Sequence, residues 1–460
     1  MRPSLHARRN FFFISCVVLA EPVSSTVLLP FIYFMVKGFG YSGGEIGFRA
    51  GIITSSFFVV QMFSNPIWSL LSDRVGRKPC LVLGLLGTAV SMVAFGMSPN
   101  LTWAIASRSM CGLMNGNSPI ARTVVGELSE ATGMDKAKAF SLFGFCLAAG
   151  WTIGPLIGGT LADPTNHFGL QGPYNVLKTY PWLLPCLFIA VYNVVVVTLT
   201  CIYMDETSSL TSTKAIQENH DRVRTHCETD PLLSEHDQAT RESSHTSNDS
   251  QAEEMDVPRI NFRRIQGLSM LTAICYFIHI ICFDELFPLF AASSLEVGIG
   301  LSFNPRDIAR ALLFAGPAMF GSLLVFSTLH RRYGSRTLYR STAVVFTIVY
   351  PLFSMLPHLA GSTGGSSLWI LLTPLVMLRY AAMVIGLASI QIIFNDVAAP
   401  SERAFLNGLA QSVGSFARAI GPTLGGTVWS WSVSNGLPAP LEFHATVGTR
   451  ISLNYTIFYS

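Results

Sequence analysis

Charge is what this chain has least of. Asp, Glu, Lys and Arg make up 12% of its 460 residues, against 50% hydrophobic residues, roughly half the charge of an ordinary soluble domain. Of its 57 charged residues, 20 crowd into 205–265. The remainder is too apolar to form a water-facing surface, which excludes an ordinary soluble globular protein. Other absences exclude chemistry. No Gly-x-x-x-x-Gly-Lys-Ser/Thr string occurs, so an ATP-driven pump is excluded. With no phosphate loop, nucleophile–base set or metal-ligand cluster, neither an enzyme nor a resident metal or cofactor is expected. The nine cysteines are scattered without a Cys-x-x-Cys. Cys275 and Cys282 share a helical face and read as packed thiols. No basic run interleaved with aromatics suggests nucleic acid.

What the chain does have is apolar length. A bilayer crossing needs about 20 apolar residues. Eleven such spans are predicted, over 11–36, 47–71, 80–98, 101–125, 139–161, 181–203, 267–291, 309–329, 339–357, 368–394 and 404–431. The ten residues from Ile451 onward begin a twelfth but are too few to cross. Arg2, Arg8 and Arg9 precede the first span as they would in a signal peptide, yet its length predicts a retained helix. With the N-terminus in the cytosol, 13 Lys and Arg of the short connecting segments lie on the cytosolic side and six opposite, which orients the chain.

Residues 205–265, rich in Ser, Thr, Glu, Asp and Gln, are predicted to be a disordered cytosolic linker. It divides an N-terminal six-helix half, 1–204, from a C-terminal half, 266–460, with five clear helices. Within it Glu228, Leu232 and Leu233 match an acidic di-leucine sorting string. That favours a vacuolar membrane over the plasma membrane, with a chance apolar pair as the competing reading. The sequon Asn100-Leu101-Thr102 lies so near the membrane that it is expected to stay unmodified.

Two copies of one segment are written into the two halves. Ile153-Gly154-Pro155-Leu156-Ile157-Gly158-Gly159-Thr160 recurs 267 residues later as Ile420-Gly421-Pro422-Thr423-Leu424-Gly425-Gly426-Thr427, identical at six of eight positions. Such internal repeats mark membrane transporters whose site lies between the halves. Gly150, Gly154 and Gly158 share one helical face, as do Gly421 and Gly425. Small residues there allow close helix approach, and Pro155 and Pro422 kink the helices. These residues predict a rocking surface and seal rather than a substrate contact. Between spans two and three, Asp73, Arg74, Gly76, Arg77 and Lys78 form a short loop of alternating charge with a glycine for the turn. A degenerate echo follows span eight at 331–336.

These strings resemble the motifs of the major facilitator superfamily. Asp73-Arg74-Val75-Gly76-Arg77-Lys78 resembles its gating loop, Arg108 its fourth-helix motif, and Gly150 to Gly159 the fifth-helix motif of drug:proton antiporters. Ala20-Glu21-Pro22 and Phe283-Asp284-Glu285-Leu286-Phe287-Pro288 resemble the fungal and plant group related to the zinc-induced facilitators. The resemblance implies an all-α integral membrane fold of two six-helix pseudo-repeats, with the twelfth helix missing or truncated here. It also implies alternating access and proton-coupled export of a small molecule. The expected partners are a small-molecule substrate, protons and the lipid bilayer, for a monomeric protein.

Ionisable groups inside the spans are the candidate proton and substrate pathway, because each costs about 2.5–3.5 kcal/mol to insert and needs a cavity or partner. Glu21 sits ten residues into span one and reads either as a proton carrier or as a latch paired with Arg108. Asp284 and Glu285 lie deep in span seven, about 100° apart on a helix, so only one can face a cavity. Arg379, 271 positions after Arg108, is its counterpart; coupling cation and structural clamp are both open for the two arginines. His279 reads as a proton relay or a packing histidine. Arg418 is equally open. The competing class of function is a transporter-like sensor or scaffold, against which the retention of Glu21, Arg108 and Asp284 argues.

Overall fold

The computed structural model describes residues 5–132, 136–168, 176–204, 206, 262–294, 300–363, 365–397 and 403–434. The sorting string Glu228, Leu232 and Leu233, most of the linker, and 435–460, where a twelfth helix is expected to begin, lie outside them. The described residues form helices joined by short turns, with no strand among them. In the first half these are α1 (Leu5–Thr26), α2 (Ile32–Gly38), α3 (Glu45–Val75), α4 (Arg77–Gly96), α5 (Leu101–Met114), α6 (Asn117–Thr132), α7 (Lys136–Leu161), the short α8 (Pro164–Phe168) and α9 (Val176–Thr179), and α10 (Leu183–Tyr203). The second half has α11 (Phe262–Ala292), α12 (Pro305–Leu313), α13 (Ala315–Thr363), α14 (Gly365–Val397) and α15 (Arg403–Ser434).

Among the described residues, seven stretches are long and apolar enough to cross a membrane. One of them, Pro305–Pro357, contains two predicted spans, whose rods meet at Gly334 with φ 73° and ψ 159°. Backbone groups in hydrocarbon must be satisfied within the chain, and helices achieve this. Large apolar side chains such as Leu324, Ile370 and Val90 are left more than 70% exposed. In a bilayer they are the lipid-facing belt rather than an aggregation hazard.

Two predicted spans are not continuous. Span one breaks over 27–31, because Pro30 has no amide to donate, and restarts as α2. Span four breaks at Asn115-Gly116, where Trp68 of α3 presses against the backbone and donates its Nε1 hydrogen to Leu113 O at 2.8 Å. A Cβ at Gly116 would overlap the Trp68 ring. The second part, α6, then runs on to Thr132, beyond the predicted end.

One apolar cluster spans both halves, gathering Phe57, Phe290 and Trp429, while a second around Phe11, Trp68, Leu81 and Val124 stays in the first half. The halves meet where α3 begins and α15 ends. A Cβ at Gly44, Gly47 or Gly51 would overlap Ser430, Trp429 or Pro422 of α15. Hydroxyls bridge the same seam: Phe48 N donates to Ser430 Oγ at 2.9 Å, and Thr423 Oγ1 to Ser55 Oγ at 2.8 Å. Ser430 Oγ also donates to Gly44 O. A second seam joins α7 to α12 and α13, with Gly159 against Pro305 and Ala309 and the Phe145 and Phe320 rings 4.7 Å apart. Toward the end that carries the N-terminus, α3 and α15 part and leave a cavity.

Candidate functional site at the interface of the halves

The cavity, about 360 Å³, lies between α1, α3, α6 and α15. Glu21, Arg122 and Arg418 supply its charge, Asn65, Ser69 and Ser118 polar groups, and Met62, Pro66 and Pro119 apolar walls. Glu21 is 8% exposed. Its Oε1 accepts a hydrogen bond from Gln61 Nε2 at 3.0 Å, and its Oε2 has no hydrogen-bond partner. Pro22 follows it in the chain and packs against Gly150 of α7, fixing α1 at this level.

The competing reading of Glu21, a latch paired with Arg108, has no ion pair behind it among the described residues. Arg108, wholly buried, donates from Nη1 to Ser24 O at 3.2 Å and lies over the Phe57 and Phe95 rings at 4.7 and 5.4 Å. Its Nε and Nη2 have no hydrogen-bond partner. Arg379 repeats this setting in the second half, donating from Nη2 to Ile280 O at 3.0 Å and lying over Phe283 and Tyr380 at 4.2 and 4.4 Å. Here, however, the guanidinium meets Asp284 at 2.9 Å, and Tyr380 donates its hydroxyl to the same Oδ1 at 3.2 Å. Of the two adjacent carboxylates in α11, Asp284 is therefore engaged inside its own half. Glu285 turns the other way and accepts from Thr54 of α3 at 3.3 Å, across the interface. His279 lies away from this cavity, edge-on to Phe346 and Tyr350 with ring centroids 4.7 and 5.2 Å away, and its Nε2 has no hydrogen-bond partner.

The glycine faces expected to form a rocking surface and seal pack instead inside their own halves, and their neighbours make the contact between the halves. A Cβ at Gly150 or Gly154 would strike Pro22 or Thr26 of α1, and one at Gly158 the carbonyl of Val27 just beyond it. The adjacent Gly159 instead faces the other half. In α15, Gly421 and Gly425 face Ile281 and Cys282 of α11, whereas Gly426 lies against the Gly47 carbonyl of α3. The Pro422 carbonyl faces Gly51.

The charged loop ties four helices of the first half together. Arg77 pairs with Asp73 and, at 3.2 Å, with Glu127 of α6. The Glu206 carboxylate accepts from the backbone amides of Arg77 and Lys78 at 2.9 and 3.1 Å. An acceptor at the amino end of α4 satisfies free amides and suits the helix dipole. Lys78 Nζ reaches Cys201 O of α10 at 2.8 Å. Gly76 turns with φ 110°, and a Cβ there would meet Glu206. Arg74 forms no ion pair among the described residues.

Sequence reasoning missed Arg122, Gln61, Glu127 and Glu206. Gln61 and Asn65 stand four apart in an apolar span, a polar pair on one helical face that marks the cavity side. Arg122 was hidden by the unforeseen restart of the helix at Asn117.

A family model described as Major Facilitator Superfamily matches residues 14–422. A major facilitator superfamily multidrug transporter of Aspergillus fumigatus is 26% identical over 93% of this chain and 79% of its own length. The protein ZINC INDUCED FACILITATOR 1 of Arabidopsis thaliana is 26% identical over 91% of this chain and 84% of its own. The solved D-xylose–proton symporter superposes with a TM-score of 0.69 at 13% identity, covering 98% of this chain and 97% of that one; at that identity the likeness concerns the fold alone. The chain belongs to the Major Facilitator Superfamily: it is a multi-pass membrane protein and a secondary transporter of small molecules, not an enzyme.

Proposed function

We propose that the chain is a proton-coupled antiporter that exports a small molecule from the cytosol by alternating access. The observation that carries this reading is Glu21. Alone among the carboxylates of the α1 and α11 cores it faces the inter-half cavity with an oxygen that bonds nothing, while Asp284 is held by Arg379 and Glu285 by Thr54. A carboxylate beside an open cavity and away from bulk water can load and release a proton without breaking an ion pair. With the N-terminus cytosolic, the cavity opens to the cytosol and the glycine seam closes the opposite end. The names of the multidrug and zinc-facilitator relatives support small-molecule export.

Two measurements test Glu21. Reconstituted vesicles carrying Glu21→Gln should show wild-type protein abundance and no pH-driven accumulation. In weakly buffered solution, substrate binding should release protons from the wild type and none from the variant. Gradient-driven accumulation that survives in the variant would remove Glu21 from coupling, and an absence of any transport across a broad panel of drugs and metals would favour a sensor or scaffold. For localisation we propose the vacuolar membrane. Replacing Leu232 and Leu233 by Ala should send a fluorescent fusion to the cell surface, and an unchanged distribution would show that the string is not read.

A further inference from the structure

Arg122 of α6 and Arg418 of α15 come from opposite halves and line the same cavity as Glu21. Neither forms an ion pair among the described residues. Arg122 lies over the Phe143 ring at 5.1 Å and Arg418 over the Phe58 ring at 5.8 Å. The Arg418 Nη2 reaches only Ser415 Oγ, at 3.4 Å. Arg108 and Arg379, by contrast, are sealed from solvent and bonded inside their own halves. The cavity therefore presents two guanidiniums and one carboxylate to a single space, none of them neutralised by a contact.

That charge pattern discriminates between ligand classes once Glu21 is taken as the proton carrier, the reading on which this inference rests. A simple cation meets two guanidiniums and is repelled. A simple anion is attracted, but more strongly when Glu21 is protonated, so proton and anion would travel together, opposite to exchange. A molecule carrying both charges escapes each problem. Its acid group is matched to the donor forks of Arg122 and Arg418. Its ammonium is matched to Glu21, where it competes directly with the proton, as exchange demands. We propose that the cavity binds a zwitterion, an ammonium joined to a carboxylate or phosphate. Its acid group bridges Arg122 and Arg418, and its ammonium occupies Glu21. Met62, Pro66 and Pro119 take an apolar body, and the cavity volume of about 360 Å³ is at the small-ligand end of binding pockets.

The test uses the purified full-length chain in lipid nanodiscs and probes of matched shape. Phenylalanine, 2-phenylethylamine and 3-phenylpropionate share one apolar body and differ in charge, and phosphoethanolamine replaces the carboxylate by phosphate. Phenylalanine or phosphoethanolamine should bind at least about tenfold more tightly than either singly charged probe, the worth of one charge-assisted hydrogen-bonded contact. Arg122→Gln and Arg418→Gln should each lower the ratio of zwitterion to amine affinity by about tenfold, and Arg122→Lys and Arg418→Lys by less. Because the readout is a ratio within one preparation, a loss of folded protein does not imitate it, and the wild-type preference alone decides if the variants do not fold. Equal affinity across the probes, an unchanged ratio in the Gln variants, or no binding of either zwitterion overturns the proposal. If the zwitterion preference is absent while Glu21→Gln still abolishes pH-driven accumulation, only this inference falls. If the preference holds but zwitterion binding releases no proton, the antiport reading falls instead.

Discussion

Arg379 and Asp284 meet at 2.9 Å with the guanidinium wholly buried, and their remaining partners, Ile280 O and the Tyr380 hydroxyl, carry no charge. Asp284→Asn should therefore cost about 3–5 kcal/mol, the penalty of leaving a buried charge uncompensated, and reduce the melting temperature read by fluorescence-detected size exclusion. Adding Arg379→Met to that variant should recover most of the loss, since an apolar replacement of a buried pair is close to neutral. Arg108 has no carboxylate at contact distance among the described residues, and Arg108→Met should leave the melting temperature unchanged or raised. The sequence treats these two arginines alike, because it shows their equivalent positions but not their neighbours. What separates them is the rotation between Asp284 and Glu285, which sends one carboxylate into its own half and the other to Thr54. A helical wheel supplies the angle between two such residues; only packing supplies the direction.

In α7 and α15 the shared glycine faces follow from spacing alone, but not the helix each face meets, which is α1 or α11 of the same half. Helix breaks were beyond such reasoning. Asn115-Gly116 ends a helix in part because of what lies opposite it, and Trp68 against Gly116 is a contact between segments far apart in the chain. The seam makes a sharp expectation for single side chains. Gly426→Val would drive a side chain into the Gly47 carbonyl and should hold that end open. Spin labels at the exposed Ser42 and Ser434 should then show a longer distance population by double electron–electron resonance, with protein abundance retained. Gly158→Val strikes the Val27 carbonyl inside one half and should instead lower abundance. At the charged loop, Gly76→Ala forces an alanine to φ 110° beside Glu206 and should destabilise the chain by about 1–3 kcal/mol, read as a lower melting temperature.

At the scale of the whole molecule, two halves lean together at one end and enclose a charged cavity toward the other. Glu21, singled out by its depth in span one, lines the cavity, and the two-half architecture was legible from repeat and composition. The cavity's second cation was not, because Arg122 falls in a segment that reads as one span and folds as two helices. Ser55 and Thr423 place their oxygens 2.8 Å apart across the seam, so a Ser55→Cys/Thr423→Cys pair should form a disulfide that stops transport, and a reductant should restore it. The seam has one further property. The ion pairs Arg49–Glu45, Arg77–Asp73, Arg77–Glu127, Arg310–Asp307 and Arg379–Asp284 each lie within a half, while the glycine seam is closed by backbones, hydroxyls and rings, with the Glu285 carboxylate on Thr54 and the Arg418 guanidinium over Phe58 as the charged groups that reach across. Separating the halves at that end thus breaks none of these ion pairs, the contacts that dissolved salt screens most. Ionic strength should weaken the loop that braces the first half yet leave the balance between open and closed seams where it was, so that the hinge answers to its cargo and not to the ions of the medium.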